Sequence, residues 1–154
     1  MINVDMVKLK EATNILTSIS NAELVDASAN IVDPYRVYDG IIEPAYAVAC
    51  DATGACDVYH TYQFSAPTKV LTFKVSCALA INSPKEITLY GSNDNITFDE
   101  LLVSTQDIVV DNYIIDKRLD ISKYNDYTYY KVHVTKGPNS GDVIVNEYYL
   151  LKEV

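Results

Sequence analysis

The chain has 154 residues, a length that suits one domain with a buried core. Hydrophobic residues make up 49% of it, which argues against disorder, and thirteen tyrosines without a tryptophan are typical of half-buried strands. The formal net charge of -9 argues against nucleic acids and anionic membranes as partners, because like charges repel. No segment has the roughly 20 consecutive apolar residues of a membrane span. The N-terminus lacks a basic segment followed by an apolar run, so we expect no signal peptide.

The first segment with a regular pattern covers residues 5–20. Ala12, Ile15 and Leu16 fall on one face at helical spacing, and Ser20 with the following asparagine would stop a helix there. We therefore predict an N-terminal, helical arm over residues 1–22 and one main domain over 23–154. This arm either docks onto a larger assembly or packs across its own domain.

From residue 23 onward the spacing changes to the alternation of strands. Predicted strands cover 23–28, 58–64, 70–80, 86–90, 108–110, 113–115, 127–134 and 143–151. Polar turns separate them, including a hairpin-type break at 137–141. Many short strands with regular turns predict an all-β, antiparallel β-sandwich of the jelly-roll kind. The residues expected in its core are Val75, Cys77, Leu89, Tyr130 and Val132.

Three segments, in order, resemble the discoidin family, also called factor V/VIII type C or galactose-binding-like domains. The first is Ala-Ser at 27–28 with Pro-Tyr-Arg-Val-Tyr-Asp-Gly at 34–40, and the second is the Gly-Ser-Asn-Asp turn within 87–98. The third pairs Tyr-Tyr-Lys-Val at 129–132 with the closing strand at 143–150. The resemblance covers about 23–152 and implies a discoidin-like β-sandwich whose termini lie close together.

The turn that begins at Gly91 is interpreted as a feature of the fold. Asn93 and Asp94 are expected to hydrogen-bond their own turn, and Gly91 to permit the backbone angles.

The resemblance also implies a structural calcium ion between Asp39 and Glu147. Calcium binds six to eight oxygens, and such a site would tie an early loop to the last strand. The alternative is that Asp39 caps its own turn and that Glu147 pairs with a lysine or with the backbone.

Discoidin-like modules hold ligands with loops at one end of the sandwich, where an aromatic ring can stack on a sugar. The candidate ligand-binding residues are Tyr35, Arg36, Tyr46, His60, Asn112 and Tyr113. For each of them taken singly, a core or an ordinary surface position is the favoured expectation.

The chain has three cysteines. Cys50 and Cys56 flank a turn-like segment and could form a staple, but without an export signal reduced thiols are the favoured expectation. Cys77 alternates with Leu71, Phe73, Val75 and Leu79, so it is expected to be a buried strand residue.

No phosphate-binding loop, nucleophile elbow or zinc-protease motif occurs in the chain, so we expect a binding module and not an enzyme. A surface-recognition module without an export signal favours a phage virion component, a capsid-decoration or tail protein located on the virion surface. The alternative is a stand-alone, lectin-like bacterial module. The expected partners are virion proteins, neutral glycans and a second copy of the chain.

Overall fold

The computed structural model describes residues 13–14, 22–28, 31, 56–137 and 143–152, and its architecture is two antiparallel sheets packed face to face. The strands are β1 (Thr13–Asn14), β2 (Ala22–Ala27), β3 (Val58–Lys69), β4 (Thr72–Cys77), β5 (Glu86–Ser92), β6 (Asp99–Thr105), β7 (Tyr113–Arg118), β8 (Asp126–Lys136) and β9 (Glu147–Lys152). Short 3-10 turns cover Ala80–Asn82 and Ile121–Lys123. In this part of the chain no helix is long and apolar enough to cross a bilayer.

The four-stranded sheet has the order β1-β9-β4-β7 and the five-stranded sheet the order β2-β3-β8-β5-β6. Every pairing between neighbouring strands is antiparallel. The predicted all-β, antiparallel β-sandwich is therefore confirmed. It arises because alternate side chains of each strand point to opposite faces, so that each sheet has one apolar face to bury.

The core lies between the two inner faces. All five residues that the alternation assigns to the core, Val75, Cys77, Leu89, Tyr130 and Val132, are buried. Tyr130 also satisfies its polar tip, since its hydroxyl donates to the Thr68 carbonyl at 2.5 Å and accepts from the Val70 N–H at 3.1 Å.

The connections between strands gather at the two ends of the sandwich. Residues 28, 31, 56–57, 78–85, 106–112 and 143–146 lie at one end, which we call the loop end. The first residue of β2 and the last of β9 lie at the other end, together with the β5–β6 turn and the segment between β7 and β8. We call this the opposite end. The two chain ends of the sandwich thus share one side, as the resemblance implies.

The prediction of a helical arm is wrong where the structure describes it. Thr13 pairs with Lys152 and Asn14 with Leu151, so this short segment is an edge strand. Backbone groups along the free edge of β9 favour a strand partner over local helical hydrogen bonds. The rest of residues 5–20 lies outside the described residues.

Three strand predictions also need correction, and one of them is that at 143–151, where the strand begins only at Glu147. Residues 108–110 form no strand; Val109 and Val110 are exposed in a loop. The predicted strand at 70–80 ends at Cys77, so that Leu79 is exposed. Conversely, β6 was not predicted, because its two buried residues, Leu101 and Ser104, are three positions apart, and a register shift in its pairing with β5 interrupts the alternation.

The cysteines divide between a disulfide and a thiol. Cys56 is disulfide-bonded, so the expectation that it is reduced is wrong, and Cys50 lies outside the described residues. Cys77 is a free, buried thiol as expected, and burial raises the pKa of that thiol to about 12.

The turn after β5 forms the hydrogen bonds predicted for it. Asp94 Oδ1 accepts from the N–H groups of Ile96 and Thr97, both at 2.8 Å. The bond from Thr97 first, and then that from Ile96, hold the pKa of the Asp94 carboxyl below its usual value. Asn93 links the turn to β8, since its Oδ1 accepts from the Thr128 N–H at 2.9 Å.

Gly91 has a different role from the predicted one. Its backbone does not adopt a positive φ; instead, a Cβ at this position would lie 2.7 Å from Cε2 of Tyr127 and closer still to Cδ2. The glycine is therefore required by the close approach of a buried tyrosine ring.

We predict that Gly91→Ala lowers the free energy of unfolding by about 1–3 kcal/mol, because the Tyr127 ring must move. Urea unfolding measures this loss. The control is the same change in a Tyr127→Ala background, where it should cost much less. An equal cost in both backgrounds would show that the ring contact is not the reason.

Candidate functional site

The loop end is built from turns that are distant in sequence and joined by backbone hydrogen bonds. The Asn112 N–H donates to the Ala78 carbonyl at 2.9 Å, and the Ile144 N–H donates to the Asn82 carbonyl at 2.8 Å. Three connections, after β4, after β6 and before β9, are thereby fixed relative to one another. A surface held in this way loses little conformational freedom when it binds a ligand.

A buried asparagine supports the same turns from below. Asn146 Oδ1 accepts from the Ala78 N–H at 2.6 Å, and the Asn146 N–H donates to the Ser76 carbonyl at 2.9 Å. Above it, the Ala80 N–H donates to Asp111 Oδ1 at 2.9 Å. The turn that leads into Asn112 and Tyr113 is thus hydrogen-bonded to the turn after β4, which Asn146 holds in place.

Asn112 and Tyr113, two of the sequence-predicted ligand-binding residues, lie together at the loop end. Asn112 has a φ of 55°, a left-handed conformation that asparagine tolerates better than most residues. The chain then enters β7 with Tyr113, whose side chain is 42% exposed. An exposed tyrosine offers an apolar ring face and a polar tip to a ligand.

Apolar side chains surround this position on the neighbouring turns. Sequence reasoning missed them as site residues: Leu79, Ile81, Val109 and Val110, all exposed. Val109 and Val110 could have been recognised from the sequence, because the Asp111–Asn112 turn that follows them indicates a loop and not a strand.

Acidic side chains dominate the charge of this end. Asp57 and Asp111 are exposed, and Asp107 pairs with Lys85 at 3.8 Å. Together with the net charge of -9, this arrangement opposes the approach of anions.

His60, the third candidate in the described residues, lies in the core. It is 1% exposed, and its ring stacks on that of Tyr62 and meets the edge of Tyr148. The reason is the alternation of β3, which turns His60 inward with Val58 and Tyr62. His60 therefore presents no surface to a ligand.

Glu147 is also buried, at 0% exposure, at the start of β9 beneath the loop end. Burial, and secondarily the charge of Glu147, raises the pKa of the neighbouring Tyr149 hydroxyl. A fully buried carboxylate requires a hydrogen-bonding, cationic or metal partner. Within the described part of the chain, no group of three or more His, Cys, Asp or Glu could hold a metal ion.

The remaining candidates, Tyr35, Arg36, Asp39 and Tyr46, lie outside the described residues. The described flanks of that segment are both at the loop end. Ser28 hydrogen-bonds Tyr59 through its N–H, at 3.0 Å, and through its Oγ, at 2.7 Å.

No protein-family model matches the chain, and no curated protein matches it either. Solved structures do. The family 32 carbohydrate-binding module of Streptococcus pneumoniae EndoD has a TM-score of 0.70 at 12% identity, covering 92% of this chain and 100% of that one. The module of Clostridium perfringens NanJ, solved in complex with galactose, has a TM-score of 0.66 at 13% identity, covering 92% and 99%.

A third similar structure is CpGH89CBM32-5 of Clostridium perfringens in complex with GalNAc-β-1,3-galactose. Its TM-score is 0.67 at 10% identity, and the match covers 89% of this chain and 98% of that one. Agreement over nearly the whole length shows that the protein has the galactose-binding-like, or discoidin, fold, as the sequence resemblance implies.

Proposed function

We propose that this chain is a non-catalytic module that binds neutral sugars through its loop end. The observation that carries the proposal is the exposed Tyr113 beside Asn112, on turns held rigid by hydrogen bonds at an end of a galactose-binding-like sandwich. Two modules of the same fold were solved with galactose or with a galactose-containing disaccharide. The acidic surface favours neutral over anionic ligands.

The chemistry of such a site needs no reacting group. The Tyr113 ring would stack on the apolar face of a pyranose, and the Asn112 amide would exchange hydrogen bonds with its hydroxyls. Tyr35, Arg36 and Tyr46, from the segment whose flanks lie at the same end, complete the proposed set.

Titration with galactose and with N-acetylgalactosamine tests the proposal. Tyr113→Ala is expected to weaken binding by about tenfold or more, since it removes the stacking ring. The matched control is Ile114→Ala, the next residue of β7, which is also exposed but points to the other face of the sheet. Tyr46→Ala gives an independent test from the other loop. Equal affinities for all four proteins would refute the assignment of the site.

The sequence also favours attachment to a virion, and this stays a prediction because the structures compared above give it no support. A standard protein interface buries about 800 Å² per partner. If the chain serves such an interface, removal of residues 1–20 should release it from the particle. Sugar binding would then be a second activity or absent.

We further propose that Glu147, together with Asp39, holds a structural calcium ion. The buried carboxylate beneath the loop end fits one ligand of such a site. The ion would supply stability and loop order, with no part in any reaction.

A further inference from the structure

A cleft lies at the opposite end of the sandwich, far from Tyr113. It has a volume of about 450 Å³, within the range of sites that hold small molecules. One wall is the start of β6 with the residue before it, Phe98, Asp99 and Glu100. The other wall is the segment before β8, including Ser122 and Tyr124.

The first wall is fixed by the turn that follows β5. Besides the bonds that Asp94 accepts, Ser92 Oγ accepts from the Asn95 N–H at 3.0 Å. Beyond this turn, the Lys131 ammonium lies 3.8 Å from the centre of the Phe98 ring, a cation–π contact. The ring is therefore held in place before any ligand arrives.

The second wall is held in place by Asp120, the residue that caps the 3-10 turn at Ile121–Lys123. Asp120 Oδ1 accepts from the Ser122 Oγ at 2.7 Å and from the Ser122 N–H at 2.8 Å. These two bonds hold the pKa of the Asp120 carboxyl below its usual value. Arg118 Nε donates to the Tyr124 hydroxyl at 3.0 Å, which orients that ring.

Two hydrogen bonds join the walls across the base of the cleft. Lys123 Nζ donates to the Glu100 carbonyl at 3.0 Å, and the Tyr127 hydroxyl donates to Asp99 Oδ2 at 2.8 Å. The two walls of the cleft are thus fixed relative to each other.

The lining combines the faces of aromatic rings with closely spaced hydrogen-bond donors and acceptors. Its charged members are two carboxylates, Asp99 and Glu100, and one ammonium, Lys123, which sum to −1. This charge disfavours phosphates and carboxylates. Carboxylate oxygens that accept hydrogen bonds, next to aromatic rings, suit a neutral ring bearing several hydroxyls.

We propose that this cleft is a second binding site for a neutral sugar ring. It goes beyond the function proposed above, because one molecule would then hold glycan at both ends of the sandwich. Sites at opposite ends of one domain suit the bridging of two glycan chains, since a gain in avidity requires that both sites be engaged at once.

Amide-detected NMR titration with galactose and N-acetylgalactosamine tests the cleft on the full chain. Signals of residues 98–101 and 122–127 are expected to shift with added sugar. Glu100→Ala should weaken this response about tenfold. Ser122→Trp should remove it by filling the cleft, and Asp107→Ala, an acidic residue at the loop end, should leave it unchanged.

The amide spectrum of each variant also reports whether the fold is intact. Unmoved cleft signals, or cleft shifts that persist undiminished in both Glu100→Ala and Ser122→Trp, would overturn this proposal whatever happens at the loop end. Cleft shifts without shifts at residues 79–82 and 108–113 would support it and contradict the loop-end function instead.

Discussion

Lowering the pH from about 6 to about 4.5 is expected to reduce the free energy of unfolding by about 2 kcal/mol through His60 alone. Its ring lies between the sheets, 5.5 Å from the ring centre of Tyr148, and burial lowers its pKa from 6.5 to about 3. Between these two values the unfolded chain binds a proton that the folded chain does not. Stability therefore falls as the pH falls through this window, and it is unaffected by His60 above the unfolded pKa.

Chemical unfolding at several pH values measures how steeply the free energy of unfolding changes with pH. His60→Phe, which keeps an aromatic ring in the core, should remove most of that dependence. The chain has one other histidine, His133, on the outer face of the five-stranded sheet beside Asp57, so His133→Gln is the matched control. A slope that survives in His60→Phe and disappears in His133→Gln would show that the wrong histidine has been assigned.

Chelation of calcium is expected to lower the melting temperature by roughly 5–10 °C. An ion at a hundred times its dissociation constant stabilises the fold by about 2.7 kcal/mol, and in a domain of this size each kcal/mol is worth about 2–4 °C. Glu147→Gln and Asp39→Asn should each abolish the response to the chelator.

Asp116→Asn is the control for the calcium experiment, since Asp116 is an exposed carboxylate of β7 that pairs with Lys74. It should retain the full response. An unchanged melting temperature after chelation of the wild-type protein would favour the alternative, in which Glu147 is paired within the protein.

The core could be read from the sequence because alternation is a local property. Phe73, Val75 and Cys77 follow one another at every second position, and all three are buried. Short apolar runs were less informative. Val109 and Val110 form such a run but are exposed, and whether a run of this length finds a partner strand depends on residues elsewhere in the chain.

The candidate site was only partly predictable for the same reason. Asn112 and Tyr113 were found because a turn followed by a strand places them at a loop edge. The alternation also contained the information that His60 points inward, with Val58 and Tyr62. No spacing in the sequence, however, shows that Asn112 bonds to Ala78. That bond depends on the tertiary fold, and it brings the apolar side chains of two turns to the same surface.

The most direct test of sugar binding is a glycan array probed with the full chain. Sugar binding at the loop end predicts a signal from neutral glycans that end in galactose or N-acetylgalactosamine and weak signals from sulfated glycans. The signal should be reduced in Tyr113→Ala but not in Ile114→Ala. Binding only to anionic glycans, or to none, would contradict the proposal.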